Sequence, residues 1–253
     1  MNLFKHIPNF ITSLNILAGC CSLVASFEGY YLLAAGFIFA ATIFDFLDGF
    51  FARLLKAYSE IGKQLDSLAD LISFGVAPAF IIYNLIKSVL LIEELSLSDL
   101  TFLNIFYLAS PFLLVVFSAL RLAKFNIDTR QTNSFIGLPT PANAILIASL
   151  PVVMIYTGSI KYYFVILDLK FLIPLIYIQC FLLVSPLPMF SLKFKNFKIK
   201  ENLIRYIFIV LILVLIGFLQ IVAIPFIIIL YIFLSIVNVL VSKIFCQSKM
   251  ETN

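Results

Sequence analysis

The stretch DFLDGFFARLLKAYSEIGKQLDSLAD, residues 45–70, sets four aspartates, Asp45, Asp48, Asp66 and Asp70, at or near the ends of two apolar runs. Ionisable groups at membrane depth are costly and are functional candidates by default. Positions three and four apart share one face of a helix. Asp45, Asp48, Gly49 and Ala52 therefore form one stripe, with Arg53 at its edge, and Gly62, Asp66 and Asp70 form another. The segment from Lys56 to Lys63 reads as the turn, so the stripes can face each other across an antiparallel pair.

Four facing carboxylates repel unless something neutralises them. Clustered oxygen ligands suit Mg²⁺, Mn²⁺ or Ca²⁺. No His or Cys accompanies them, which argues against zinc. Gly49, Ala52 and Gly62 remove bulk beside the acids, and Arg53 offers a planar fork suited to phosphate. Two cations in such a site can orient a pyrophosphate and stabilise the attacking and leaving oxygens. One carboxylate can serve as general base toward a hydroxyl. The bland alternative is helix-end aspartates paired with Arg53, Lys56 and Lys63. Two facing stripes with small residues between them argue against it.

Composition fixes the surroundings. Of 253 residues 63% are hydrophobic and 12% charged, with a mean hydropathy of +1.13. Soluble domains run at about 45–50% apolar and about 25% charged. The solvent that fits is a bilayer. The net charge of +4 is small and carries no sign of a nucleic-acid partner. Cys20, Cys21, Cys180 and Cys246 form no CxxC pair, so no disulfide framework or zinc site is expected. They are expected to be small buried hydrophobes.

A helix needs about 20 mostly apolar residues to cross the hydrocarbon core. That measure predicts about eight spans, near 9–27, 31–52, 66–86, 101–122, 138–157, 163–190, 202–219 and 221–242. The first reads as a retained helix, not a cleaved leader. The sixth is too long for one straight span and contains Pro174, Pro186 and Pro188. Part of it is expected to be connection or interfacial helix. Of the 17 Lys and Arg residues, Lys87, Lys161 and Lys170 fall on one side and the other fourteen on the side of the aspartates and both termini. Positive residues gather in the cytoplasm, so both termini and the acidic site are expected there. The run Lys193–Lys200 could bind anionic headgroups, or be an ordinary cytoplasmic loop. Residues 1–190 are expected to form the core. Residues 191–253 are expected to form a basic loop and the C-terminal helices.

The pattern Asp45-x₂-Asp48-Gly49-x₂-Ala52-Arg53-x₈-Gly62-x₃-Asp66-x₃-Asp70 resembles the signature of the CDP-alcohol phosphatidyltransferase family at all eight fixed positions. The resemblance implies an all-α polytopic membrane protein, with a six-helix core, about two further C-terminal helices and a homodimeric assembly. It implies that Asp45, Asp48, Asp66 and Asp70 hold a divalent metal pair, with Asp70 also the general base. It implies that Gly49, Ala52, Arg53 and Gly62 cradle the CDP moiety. Pro8-Asn9-x-x-Thr12-x-x-Asn15 is similar to the family's first helix, which would bring Thr12 and Asn15 to the nucleotide.

Two further stretches narrow the resemblance. Asp70 continues as Leu-Ile-Ser-Phe-Gly-Val-Ala to Pro78. Later come Ala119-Leu-Arg-Leu-Ala-Lys-Phe-Asn126 and Phe135-Ile-Gly-Leu-Pro-Thr-Pro-Ala142. Both resemble the phosphatidylserine synthase branch. Lys124 stands where that branch carries a second arginine, keeping the charge without the bidentate fork. The branch implies transfer of the phosphatidyl group from CDP-diacylglycerol to L-serine with release of CMP. Arg121, Lys124 and Asn126 are then the candidate serine-binding residues, with membrane lipids as surroundings. Inositol phosphate, glycerol phosphate and choline are the alternative acceptors. A reading from another class is an ion-coupled transporter, but no internal repeat is visible and the acids cluster near one face.

Overall fold

The computed structural model describes residues 6–91, 100–127, 135–190, 198–199 and 202–251, with backbone alone for 135 and 242–251. Helix α1, Ile7–Phe27, starts with Pro8 in its first turn, where its missing N–H costs nothing. It turns back at Gly29, φ +76°, into α2, Tyr31–Leu54. Ser22 Oγ donates to the Ala34 carbonyl at 2.8 Å, and Ala34, Ala35, Ile38 and Ala41 are fully buried. Small side chains let the two backbones approach closely.

Helix α3, Glu60–Asp70, begins earlier than the expected 66. The reason is local: Ser59 caps it, its Oγ accepting from the Gly62 N–H at 3.0 Å. The turn is therefore shorter than Lys56–Lys63. Lys56 adopts φ +50° within it, and Lys63 lies on the helix. Helix α3 continues through a π-helical segment, Leu71–Val76, into α4, Ala77–Val89, so that one span runs Glu60–Val89.

Helices α5, Phe102–Ala109, and α6, Phe112–Ile127, form one span with a break at Ser110–Pro111. Proline cannot donate the helical bond there. Helix α7, Thr140–Thr157, opens on Pro139 and Pro141, close to the expected start at 138. The long sixth run resolves into α8, Ile160–Ile166, and α9, Leu169–Val184, bent by 58°. Asp168 starts α9 by accepting from the Lys170 N–H at 2.8 Å. Beyond α9, β2, Pro188–Met189, pairs antiparallel with β1, Phe135–Ile136, and straps the entry of α7 to the exit of α9.

Helices α10, Leu203–Leu219, and α11, Ala223–Glu251, are joined by a single turn at Gln220–Val222, with Gln220 at φ +49°. The Phe208 and Tyr231 rings lie 5.9 Å apart, so the apolar run folds back on itself. Among the described residues six helical runs are long and apolar enough to cross a membrane, and the bent α8–α9 pair makes a seventh. Dividing the last run at its fold-back gives the expected eight passages. The protein is an all-α, multi-pass integral membrane protein.

Phe74, Ile81, Ile82, Ile147, Leu172 and Ile176 centre the main core. A second cluster, Leu138, Met189, Phe190, Phe208 and Tyr231, fastens the C-terminal hairpin to the strap. Cys180 is buried and Cys21 half-buried, but Cys20 is exposed, against expectation. A thiol facing lipid behaves as a small apolar group, so burial in protein is not required of it. Lys193, Lys195 and Lys200 of the basic run lie outside the described residues.

Candidate active site

Helices α2 and α3 bring their acidic stripes together. Carboxylate oxygens of Asp45, Asp48 and Asp66 lie within 4.8 Å of one another. Asp48 is buried, and its Oδ2 has no hydrogen-bond partner among the described residues. Bare carboxylates this close repel by about 3 kcal/mol per pair at an effective dielectric of ~20. A divalent cation removes that cost, so the donor set fits such an ion. Asp70 is not one of the three converging acids. It sits beside them, within electrostatic reach of Asp45, Asp48 and Asp66.

A cleft of about 240 Å³ opens next to the acids. Of the residues expected at the nucleotide, Thr12, Gly49, Ala52, Arg53 and Gly62 line it. A Cβ at Gly62 would meet Asn9 Oδ1 and Ser59 Oγ at 2.9 Å, so a larger residue there would displace those two side chains. At Gly49 the nearest atom to such a carbon is Arg53 Nη1, at 3.7 Å, so the floor stays open. Asn15 does not reach the cleft. It is fully buried one turn deeper, and neither of its amide atoms has a partner.

Pro8 and Asn9 of the first-helix stretch line the cleft too, and four lining residues were not among the sequence candidates: Ala57, Tyr58, Ser59 and Lys63. Ser59 could have been found, since a serine three positions before Gly62 at the start of a periodic run is a capping signal. Lys63 adds a second cation to the lining beside Arg53. Tyr58, in the turn, carries no signal in the sequence beyond its neighbourhood.

Asp70 is the last residue of α3, immediately before the π-helical segment. Such insertions occur often at functional sites, because they redirect the side chains around them. Asp70 Oδ1 is sequestered without a hydrogen-bond partner. Ser73, one turn on, neither faces the site nor bonds its own helix. Its hydroxyl donates to the Asn15 carbonyl at 2.9 Å. Arg121 is buried and within electrostatic reach of Asp70. Arg121 Nη1 donates to Thr140 Oγ1 at 3.3 Å.

The three residues expected at the acceptor part company. Arg121 lies in the interior next to Asp70. Lys124 is exposed. Asn126 Nδ2 donates to Ser67 Oγ at 2.8 Å, and its carbonyl accepts from Lys63 Nζ at 3.1 Å. These last two bonds tie the end of α6 to α3 instead of facing Arg121.

The family model described as CDP-alcohol phosphatidyltransferase matches residues 5–185. The chain is similar to a CDP-diacylglycerol–serine O-phosphatidyltransferase of Helicobacter pylori, 34% identical over 83% of this chain and 80% of that protein. It is also similar to a Bacillus subtilis protein of the same description, 35% identical over 54% of this chain and 70% of that one. An archaetidylserine synthase of Methanothermobacter thermautotrophicus is 36% identical over 58% of each chain.

Proposed function

The chain belongs to the CDP-alcohol phosphatidyltransferase family, and from that we propose that it is a CDP-diacylglycerol–serine O-phosphatidyltransferase of phospholipid biosynthesis. One observation carries the reading. Asp70 is within electrostatic reach both of the converging acids Asp45, Asp48 and Asp66 and of the buried guanidinium of Arg121. A base close to both a phosphate-handling cluster and a carboxylate-binding cation is what joining an activated phosphatidyl group to an amino-acid hydroxyl requires.

CDP-diacylglycerol places its acyl chains in the bilayer and its nucleotide in the cleft of Thr12, Gly49, Ala52, Arg53 and Gly62. Arg53 takes the phosphates in a bidentate grip. Asp45, Asp48 and Asp66, with Asp70 beside them, would hold a divalent pair, Mg²⁺ or Mn²⁺, with Ca²⁺ a further candidate. When bound, such ions supply charge neutralisation for the pyrophosphate. Asp70 accepts the proton of the serine hydroxyl. The serine oxygen forms a bond to the phosphorus that carries diacylglycerol, the bond from that phosphorus to the CMP oxygen breaks, and CMP leaves. Arg121 receives the serine carboxylate.

The reading brings further assignments. Arg53, Lys56, Lys63, Arg121 and Lys124 lie at the site end and Lys87, Lys161 and Lys170 at the other. That bias supports a cytoplasmic site with both termini on the same side. Residues 1–190 serve as the catalytic core, residues 191–253 as its C-terminal attachment, and the enzyme works as a homodimer. The test is a panel of radiolabelled acceptors given to purified protein with CDP-diacylglycerol. Serine alone should yield labelled phospholipid and stoichiometric CMP. Label from inositol phosphate, glycerol phosphate or choline, and none from serine, would reassign the acceptor.

A further inference from the structure

Besides the acidic cluster and Asn15, four buried side chains hold polar atoms with no hydrogen-bond partner among the described residues. Ser118 and Asn143 are 0% exposed, Gln179 1% and Arg121 7%. Ser118 Oγ, Arg121 Nε and both amide atoms of Asn143 and of Gln179 lack hydrogen-bond partners. Within a bilayer no bulk water reaches such groups. Six unsatisfied atoms in one region are a recurring cost that folding alone gives no reason to keep.

Their positions converge. Ser118 and Arg121 are three apart on α6 and share a face, as do Thr140 and Asn143 on α7. The Arg121–Thr140 bond joins those faces. The Leu138 N–H donates to the Leu182 carbonyl at 2.9 Å, pinning the entry of α7 to the end of α9. Gln179 lies three residues before Leu182. Helices α6 and α9 run toward the site end and α7 runs away from it. Ser118, Asn143 and Gln179 therefore sit at one depth, a helical turn beneath Arg121 and Thr140. Ser118 also abuts the π-helical segment that follows Asp70, its Cβ 3.3 Å from where a Gly75 side chain would begin.

We infer that Ser118, Asn143 and Gln179, beneath Arg121, form the seat for the amino-acid end of the acceptor. The inference rests on the proposed phosphatidyl transfer. The donor set selects a zwitterion. Arg121 Nε and the amide N–H groups suit a carboxylate, and the amide oxygens suit an ammonium. A phosphorylated acceptor would bring about two charges against one buried guanidinium. A quaternary ammonium would leave Arg121 Nε unpartnered and would call for aromatic faces. Seated this way, a neutral α-amino acid directs its side-chain hydroxyl toward Asp70.

The test uses Asn143→Leu and Gln179→Leu in the full-length protein, with two assays. The KM for serine should rise about ten- to hundredfold, as for lost hydrogen bonds to charged groups, while the KM for CDP-diacylglycerol stays unchanged. Serine should raise the melting temperature of the wild-type protein held with CMP and Mn²⁺, and should not raise that of the variants. Without serine the variants should melt no lower than wild type, because leucine removes desolvated polar atoms of similar volume. If either leucine variant fails to fold, Asn143→Ala and Ser118→Ala are read in the same assays. Wild-type serine KM and a wild-type serine shift in the folded variants would overturn the seat alone. No serine-dependent CMP release from the wild type would overturn the proposed activity and the seat with it.

Discussion

Ser73 Oγ donates a 2.9 Å hydrogen bond to the Asn15 carbonyl, fastening α1 to the π-helical segment one turn beyond Asp70. The contact is tight on both sides. A Cβ on Gly19 would fall 2.5 Å from Ser73 Oγ and 3.0 Å from Ser73 Cα. Helix α1 thus sets the position of the segment bearing Asp70 while its first turns wall the cleft beside the acids.

Gly19→Ala should therefore be damaging. The Ser73 backbone cannot give way cheaply, so a loss of about 1–3 kcal/mol is expected from overpacking. Gly36→Ala is the control, since nothing lies within 4 Å of its would-be Cβ. In a helix interior that change should stabilise by about 0.5–1 kcal/mol. Thermal unfolding of both variants in detergent checks the pair, with opposite shifts expected.

Removal of divalent cations should stop CMP release, and Mg²⁺ or Mn²⁺ should restore it. Asp48→Asn should raise the metal concentration needed for half-maximal rate, because it removes one of three converging charges from a buried position. Titration of the metal against rate, in wild type and variant, is the measurement. Full activity after exhaustive chelation would contradict the assignment of the acids.

Tyr231→Phe should loosen the C-terminal hairpin. The Tyr231 hydroxyl donates to the Phe190 carbonyl at 3.1 Å, and the two rings lie 5.0 Å apart. Loss of the bond leaves a buried carbonyl unpartnered, at about 1–3 kcal/mol. The melting temperature should fall, with CDP-diacylglycerol KM unchanged, since the nucleotide cleft is built from α1 to α3.

Much of the site was legible because acids in apolar helices stand out, and 3.6-residue periodicity then says which of them share a face. The stripes Asp45–Asp48 and Asp66–Asp70 and the eight passages follow from those two facts. The start of α3 was misplaced because apolar counting ignores a polar first turn, although the Ser59 cap was there to read. Lys124 and Asn126 were grouped with Arg121 by charge and position. One turn past Arg121, however, the end of α6 turns to α3, so Asn126 meets Ser67 while Lys124 is exposed. The β1–β2 strap was invisible, since two-residue strands carry no periodicity and their partner is distant in sequence. Asn143 and Gln179 also gave no signal. A single neutral amide in an apolar helix does not reveal which way it faces until its neighbours are known.

We propose that Asp70, within reach of the clustered acids and of Arg121, removes the acceptor proton. The most direct test is serine-dependent CMP release by Asp70→Asn, measured beside wild type in the same membrane preparation with insertion verified. Loss of the general base should lower the rate by about 10²- to 10⁴-fold while the variant still inserts. Turnover within a few-fold of wild type would contradict it.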